Sequence, residues 1–366
     1  MQKSAFFVVM LFIISPVYAS EIILGMSNAL TGPTKNLGLQ LKLGSELYFN
    51  KHNKSEYGKK NPIRIISYDD GYEPNKTVKN TKELLEKQSI FALFGYVGTP
   101  TSKAIIPMLE QQKSIYFAPY TGAEFLRTPH RNEFFNIRAS YYNEAETQIK
   151  YFVDKLGLKN VALFIQADDF GLAASKGYIK ALKERNITKV EQVRYKRNTI
   201  EIKDAVNKLI YENPEVIFCI GTYQPISELV HHLRGKNISS KIVTLSFAGA
   251  ESLRTRLINE EEIYITSVIP DPEGSNLPIV KEYRTAMGNK KLSHESLEGY
   301  INAAVFSNII NNIQGNITKE NFIKAAEATE IDVGGILLRF TKDNHQGLKN
   351  SYLNKITKNG LYPVDF

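Results

Sequence analysis

The sequence predicts an α/β protein with two doubly wound parallel-sheet lobes, and three observations carry that expectation. Strand-like and helix-like stretches alternate almost throughout the 366 residues, the mark of parallel sheets with helices on both faces. The alternation falls into two successive series, about 21–138 and 139–268, which together exceed what one core accommodates. The turns after the predicted strands also repeat one device. A run of β-formers ends in small residues, and a helix starts there, as in sheets that bind ligands at their strand carboxyl ends.

In order, Met1 to Lys3 is a short basic start and Ala5 to Ile14 an unbroken apolar run. Ser15-Pro16 breaks the run, and Val17-Tyr18-Ala19 is a small-residue cleavage signal. Residues 1–19 therefore read as a secretory signal peptide, too short to span a bilayer comfortably. No cysteine follows it that a lipid could modify. The first series then opens with a strand at Ile22–Met26 and a loop through Thr31-Gly-Pro33. A helix over Gly38–Asn50 follows, with Leu39, Leu43, Leu47 and Tyr48 at helical spacing. The strand Ile63–Tyr68 ends in Asp69-Asp70-Gly71, and Asn75–Gln88 is a helix.

The next two units, Phe94–Ser102 and Ile115–Glu124, each join a strand to a small-residue turn. Thr99 is expected as a helix N-cap with Pro100 in the first helical position. Such turns leave N–H groups and hydroxyls facing outward at a helix start, a seat for a carboxylate. The second series has strands at Val161–Ile165, Val190–Tyr195, Val216–Ile220, Ile242–Ser246 and Ile263–Ile269, with helices over Glu144–Leu156, Leu172–Arg185, Ile200–Tyr211 and Pro225–Arg234. After Gly274 the pattern turns helical, over Pro278–Met287, Glu295–Ile313 and Lys319–Ala328. Two extended pieces, Ile336–Thr341 and Tyr352–Thr357, close the chain. This last block has too few strands for a third sheet and is expected to complete the first lobe.

Composition narrows the class. With 43% hydrophobic and 23% charged residues the chain is globular rather than disordered. The formal charge of +8 falls to +7 without Lys3, and the cations are scattered among acids. No basic block interleaved with aromatics exists, so a nucleic-acid partner is not expected. Cys219 is the only cysteine, within Val216-Ile-Phe-Cys-Ile220, so no internal disulfide forms and the thiol is expected to be buried.

Catalytic signatures are missing. None of the six histidines stands at metal-ligand spacing, and they are expected at the surface. There is no GxSxG elbow, no phosphate loop and no GxGxxG after a strand. Asp168-Asp169 suits either turn capping, a cation or an acid pair, with capping favoured because Asp stabilises such turns. The turns instead hold hydroxyls, small residues and aromatics: Thr31-Gly-Pro33, Gly98–Thr101, Tyr120–Gly122, Asp168–Gly171, Thr222-Tyr223 and Ser246-Phe247. Such a set suits a crevice that hydrogen-bonds a small polar head and covers an apolar tail.

The order of these motifs carries a resemblance. Thr31-Gly-Pro33, Gly98-Thr-Pro-Thr101, Ala118-Pro-Tyr-Thr-Gly-Ala-Glu124, Asn136-Ile-Arg-Ala-Ser-Tyr141, Asp168-Asp-Phe-Gly171, Leu297-Glu-Gly-Tyr300 and Asp343-Asn-His-Gln-Gly347 follow a signal peptide. Over residues 21–366 the chain resembles the periplasmic solute-binding proteins of branched-chain-amino-acid ABC importers, of the type I periplasmic binding protein fold. The resemblance implies two lobes joined by a three-crossover hinge, with crossovers near Arg138, Ile269 and Thr341. Lobe one would comprise 20–138 plus 270–341, and lobe two 139–269 plus 342–366. It further implies that Thr99, Thr101, Tyr120, Thr121 and Gly122 hold a ligand carboxylate, that Phe170 and Tyr223 close over it, and that Leu37 lines the side-chain pocket. Relatives that bind leucine-like amino acids hold the amino group with a carboxylate in the turn that here reads Ser246-Phe-Ala-Gly-Ala-Glu251. Glu251 is displaced from that place, and Asp169 is a possible substitute.

The expected function is therefore that of a non-enzymatic, monomeric, periplasmic receptor without cofactor or metal. It would deliver a small carboxylate-bearing ligand, an amino acid or a relative, to a membrane permease. A sensory receptor that signals to a membrane partner is the alternative, and an α/β enzyme the remote one.

Overall fold

The computed structural model describes residues 21–258 and 262–366. The expected signal peptide lies outside them. The first series contributes strands β1 (Ile22–Asn28), β2 (Ile63–Asp69), β3 (Ala92–Phe94), β4 (Tyr116–Phe117) and β5 (Phe134–Phe135) and helices α1 (Lys35–His52), α2 (Glu56–Lys60), α3 (Pro74–Lys87) and α4 (Thr99–Gln112). The second contributes α5 (Tyr141–Ile149), β6 (Val161–Gln166), α6 (Asp169–Lys183), β7 (Glu191–Tyr195), α7 (Lys203–Glu212), β8 (Val216–Ile220), α8 (Tyr223–Gly235), β9 (Lys241–Thr244), α9 (Ala250–Arg254) and β10 (Ile263–Ser267). Then come α10 (Pro278–Met287), α11 (His294–Asn311), α12 (Lys319–Ala328), a short ribbon of β11 (Ile331–Asp332) and β12 (Leu337–Leu338), and a hairpin of β13 (Tyr352–Thr357) and β14 (Gly360–Pro363).

The two sheets are versions of one design. The first is ordered β2-β1-β3-β4-β5, and the parallel part of the second β7-β6-β8-β9-β10. Numbered within its own series, each reads 2-1-3-4-5. Such an order places a switch point, and hence a crevice, at the carboxyl ends of the first and third strands. The second sheet is not wholly parallel: β13 pairs antiparallel to β10 and β14 antiparallel to β13. A short hairpin thus extends this edge, where a parallel strand would need a long crossover.

Three segments pass between the lobes, and two run side by side. Asn136 N–H donates to the His345 carbonyl at 2.9 Å, and Leu348 N–H to that of Ile137 at 2.7 Å. Ser140 then caps α5 in a reciprocal capping box with Asn143, which fixes where the second lobe starts.

Local structure departs from the sequence reading in several places. The helix expected over Glu144–Leu156 is α5 followed by a wide turn over Lys150–Lys155. Ile336–Thr341 forms a two-residue strand rather than a full one. Gly98, not Thr99, is the N-cap of α4; Thr99 and Pro100 form its first turn. In α1 the buried face is Leu37, Leu41, Gly44, Ser45 and Phe49, while Leu39 is 42% exposed. Leu43, Leu47 and Tyr48 are partly buried and pack against the same core as Phe49. His52 and His345 are buried, against the expected surface placement; the His345 ring stacks on Phe135, centroids 4.0 Å apart, and its Nε2 meets Glu327 Oε1 at 3.0 Å. Cys219 is buried as expected, and burial pushes its thiol up.

Gly44 matters because α1 lies directly on α11. A Cβ there would sit 1.7 Å from the Ser296 carbonyl oxygen, and one on Gly299 would sit 2.1 Å from that of Leu41. Both obstacles are backbone, so neither helix can yield by a rotamer change. Gly44→Ala is expected to destabilise the protein by about 3 kcal/mol, despite the better helix propensity of Ala. Urea unfolding of the two proteins measures it.

Candidate functional site

The site grows from the ends of β1, β2, β3, β6 and β9. After β2, the Asp70 carboxylate is buried and accepts from Ser27 Oγ at 2.8 Å, Thr77 Oγ1 at 3.0 Å and the Tyr72 N–H at 2.8 Å. Burial raises its carboxyl to about 6. Asp69 accepts from the N–H groups of Leu30 and Thr31 and from Thr31 Oγ1. The Thr31 hydroxyl is thus tied to its neighbouring strand, not offered to a crevice. Together the two aspartates hold the loop after β1 and aim Tyr72 inward.

Across the seam, the turn after β9 presents Phe247. Its ring centroid lies 6.0 Å from that of Tyr72, 5.6 Å from Tyr120 and 4.7 Å from Phe170. Tyr141 joins them, 5.2 Å from Phe170. All five rings are buried. Beneath them Thr99 Oγ1 and Thr121 Oγ1 lie 2.7 Å apart, each 3.2 Å from the Tyr141 hydroxyl. Gly122 supports this patch, its carbonyl accepting from the Tyr141 N–H at 2.8 Å.

The lobes are in contact, and polar latches ring the aromatic seam. Lys103 Nζ reaches Asp169 Oδ1 at 2.6 Å. Arg197 donates to Glu73 Oε2 at 2.6 Å and to the Tyr72 carbonyl at 2.7 Å. Asn36 donates to Ser252 Oγ at 3.2 Å, and Lys291 meets Glu251 at 2.5 Å.

At the hinge, the wholly buried Arg138 connects both lobes. Its guanidinium lies 4.1 Å over the Tyr120 ring, donates to Ser246 Oγ at 2.5 Å, and comes within 3.4 Å of Glu298 Oε1 from α11. Glu144 of α5 accepts from the Ser246 N–H and hydroxyl and from Thr266 Oγ1. Burial opposes the Arg138 charge, but Glu298, Tyr120 and Glu144 outweigh it and the net shift is upward. Burial raises Glu298 to about 7, with Arg138 pulling the other way.

Leu37, Thr99, Tyr120, Thr121, Gly122, Phe170 and Tyr223 are all buried near this seam or its walls. Three expected residues do other work here. The Thr101 hydroxyl donates back to the carbonyls of Val97 and Gly98 at 2.6 and 3.0 Å, so it braces the first turn of α4. Asp169 is a latch, while Asp168 caps α6 by accepting from the N–H groups of Phe170 and Gly171. Ser246 serves the hinge cluster. Glu251 is engaged too: burial works against its charge, but Arg254 and Lys291 outweigh it and hold the carboxyl below its usual range. The reading missed Tyr72, Tyr141, Glu144, Glu295 and Glu298. Tyr72 had a signal, following the strand-ending Asp69-Asp70-Gly71 turn; the acids lie on helices where nothing distinguishes them from surface carboxylates.

The sequence profile of a family described as periplasmic binding protein matches residues 21–360. The chain belongs to that family. Among solved structures, a possible leucine/isoleucine/valine-binding protein from Rhodopirellula baltica SH 1 is similar, with 31% identity, a TM-score of 0.91 and coverage of 96% of this chain and 98% of that one. The Leu/Ile/Val-binding protein of Escherichia coli (strain K12) is 19% identical over 270 residues, 72% of each chain. A fatty acid ABC transporter substrate-binding protein from Thermomonospora curvata shares the fold at 20% identity, with a TM-score of 0.82 and coverage of 94% of this chain and 92% of that one. In this periplasmic binding protein, then, the two sheets meet across one aromatic seam.

The raised Glu298 carboxyl makes stability depend on pH in a definite direction. Its folded value, about 7, lies above the unfolded value near 4.5. The folded state therefore binds the extra proton between those limits, and the stabilisation present below about pH 4.5 is lost as pH rises through 7. Glu298→Gln is expected to remove a slope of at most roughly 1.4 kcal/mol per pH unit in that window. Urea unfolding of both proteins at pH 5, 6 and 7 measures the difference.

Proposed function

We propose that this protein is the substrate-binding component of an ABC importer, exported by its signal peptide and working as a periplasmic monomer. It captures a small carboxylate-bearing ligand, an amino acid or relative, between its lobes and presents it to a membrane permease. Lobe boundaries near residues 138, 270 and 341 put the hinge at the crossovers. The observation that carries the reading is the seam itself. The hydroxyls of Thr99, at the start of α4, and of Thr121 from one lobe meet the Tyr141 hydroxyl of α5, whose ring packs with Phe170 and Phe247 of the other lobe. Hydroxyls at a helix N-terminus suit a carboxylate, and the rings suit an apolar chain. Similarity to Leu/Ile/Val-binding proteins supports an amino acid.

A thermal-shift screen of the mature chain against amino acids and small organic acids tests the reading. A true ligand at 100 times its Kd adds ~2.7 kcal/mol to stability. Thr121→Val, which removes one hydroxyl of the patch, is expected to weaken the best ligand roughly tenfold by calorimetry. Unchanged affinity would move the carboxylate seat elsewhere.

A further inference from the structure

Beside the aromatic seam, α1 and α11 of one lobe and α9 of the other line a half-open cavity of about 120 Å³, room for roughly four waters. Asn36, Gln40, Glu251, Ser252, Lys291 and Glu295 are among its lining residues. Glu251 and Lys291 neutralise one another across it. Glu295 is different. It is 2% exposed, and its Oε1 is buried with no hydrogen-bond partner among the described residues. The Gln40 side-chain oxygen is likewise buried and unpartnered among them. Burial pushes the Glu295 carboxyl up, while its own N–H, Ser293 and Arg138 pull the other way; even so, two acceptor atoms without a donor at one small cavity are costly to leave so.

One of its lining residues, Glu295, comes close to Gly249. A Cβ there would lie 2.8 Å from Leu37 Cδ2, 3.4 Å from Glu295 Oε1 and 3.5 Å from Tyr223 Cδ1. Gly249 has φ +86° and no side chain, so nothing at that position separates Glu295 from Leu37 and Tyr223. Arg138, the nearby buried cation, already faces Glu298 and Glu144.

We propose that this cavity receives a positively charged group of the bound ligand, an ammonium or amidinium, with the Glu295 carboxylate as its counter-charge and the Gln40 oxygen as a second acceptor. The inference rests on the interlobe seam being the ligand site and adds to it a requirement on ligand charge. It gives the amino-group role to α11, in place of Glu251, which is held by Arg254 and Lys291, and Asp169, which is held by Lys103.

Calorimetry on the mature protein with L-leucine, L-arginine, 4-methylpentanoate and 3-methylbutylamine tests it. Leucine and 4-methylpentanoate share a skeleton and differ in the ammonium. Wild type is expected to bind at least one amine-bearing probe, and Glu295→Gln to weaken that probe about 30-fold or more while leaving 4-methylpentanoate within about twofold. Gln40→Met, which keeps the size and removes the acceptor, is expected to weaken the same probe by about three- to tenfold and guards against a folding defect in the first variant. Unchanged amine affinity in Glu295→Gln overturns the proposal, as does a wild type that takes only 4-methylpentanoate; in both cases the cleft reading stands. If no probe binds wild type, both fall. If amine binding depends on Glu295 but survives Phe247→Ala unaltered, the cavity is a site of its own and the cleft reading falls.

Discussion

The buried guanidinium of Arg138 is the constraint around which the two lobes are arranged. A cation taken fully out of water costs several kcal/mol unless its surroundings replace the lost hydration. Here the replacement comes from both lobes: Glu298 from lobe one, Ser246 and behind it Glu144 from lobe two, and the face of Tyr120 beneath, while Nε and Nη1 have no hydrogen-bond partner among the described residues. Arg138 itself stands on the crossover that leads from β5 into α5. The hinge therefore has its charge compensation supplied by both bodies it joins. The arrangement is expensive to break by halves, because removing either carboxylate leaves a charge buried and underpaired.

That expense sits at the pivot, and the seam around it is built differently. Phe247 reaches across into rings from both lobes, and its burial contributes on the order of 2–3 kcal/mol. The latches at the rim, such as Lys103 with Asp169, are half exposed and contribute less than about 1 kcal/mol each. A cohesive pivot with a rim of weak latches suits a body that opens without coming apart. Each latch gives way to water at little cost, while the cluster at Arg138 stays assembled. Ligand energy is then needed only to bias closure, not to create it.

The fold was largely legible because its signals are repetitive. Strand–turn–helix recurs, and the shared 2-1-3-4-5 order follows from that alternation once connections are short and right-handed. Tyr120, Thr121 and Phe170 follow strands as that alternation implies, and all three are buried at the seam. Thr101 is ambiguous in sequence, because a hydroxyl in the first turn of a helix can face a ligand or, as here, its own backbone, and spacing does not distinguish the two. The acids were hidden by a different ambiguity. Glu295 and Glu298 lie on α11, which is buried almost all round between α1 and the rest of the lobe. A buried carboxylate on such a helix looks in sequence like a solvated one, since burial on every face erases the amphipathic pattern that would expose it.

That erasure is why Glu295, the amino-group partner proposed above, carries no mark in the sequence. The resemblance points instead to the turn after β9, where Glu251 is the first acid. In three dimensions the same turn delivers Phe247 into the seam and Gly249 to its edge, and carries Glu251 round to Arg254 and Lys291. A turn that inserts an aromatic ring at the apex has no room there for a carboxylate. Gly249 has a second effect. Having no side chain, it lets an acid from the opposite wall approach within ordinary contact of its own position. If Glu295 holds a ligand ammonium, as proposed, that charge comes from the body that also carries Thr99 and Thr121. In that arrangement lobe one would fix both polar ends of a ligand before closure, and lobe two would add mainly apolar cover. A loss of rim latches would then speed ligand release without abolishing recognition, because the recognising charges do not lie on the part that swings away.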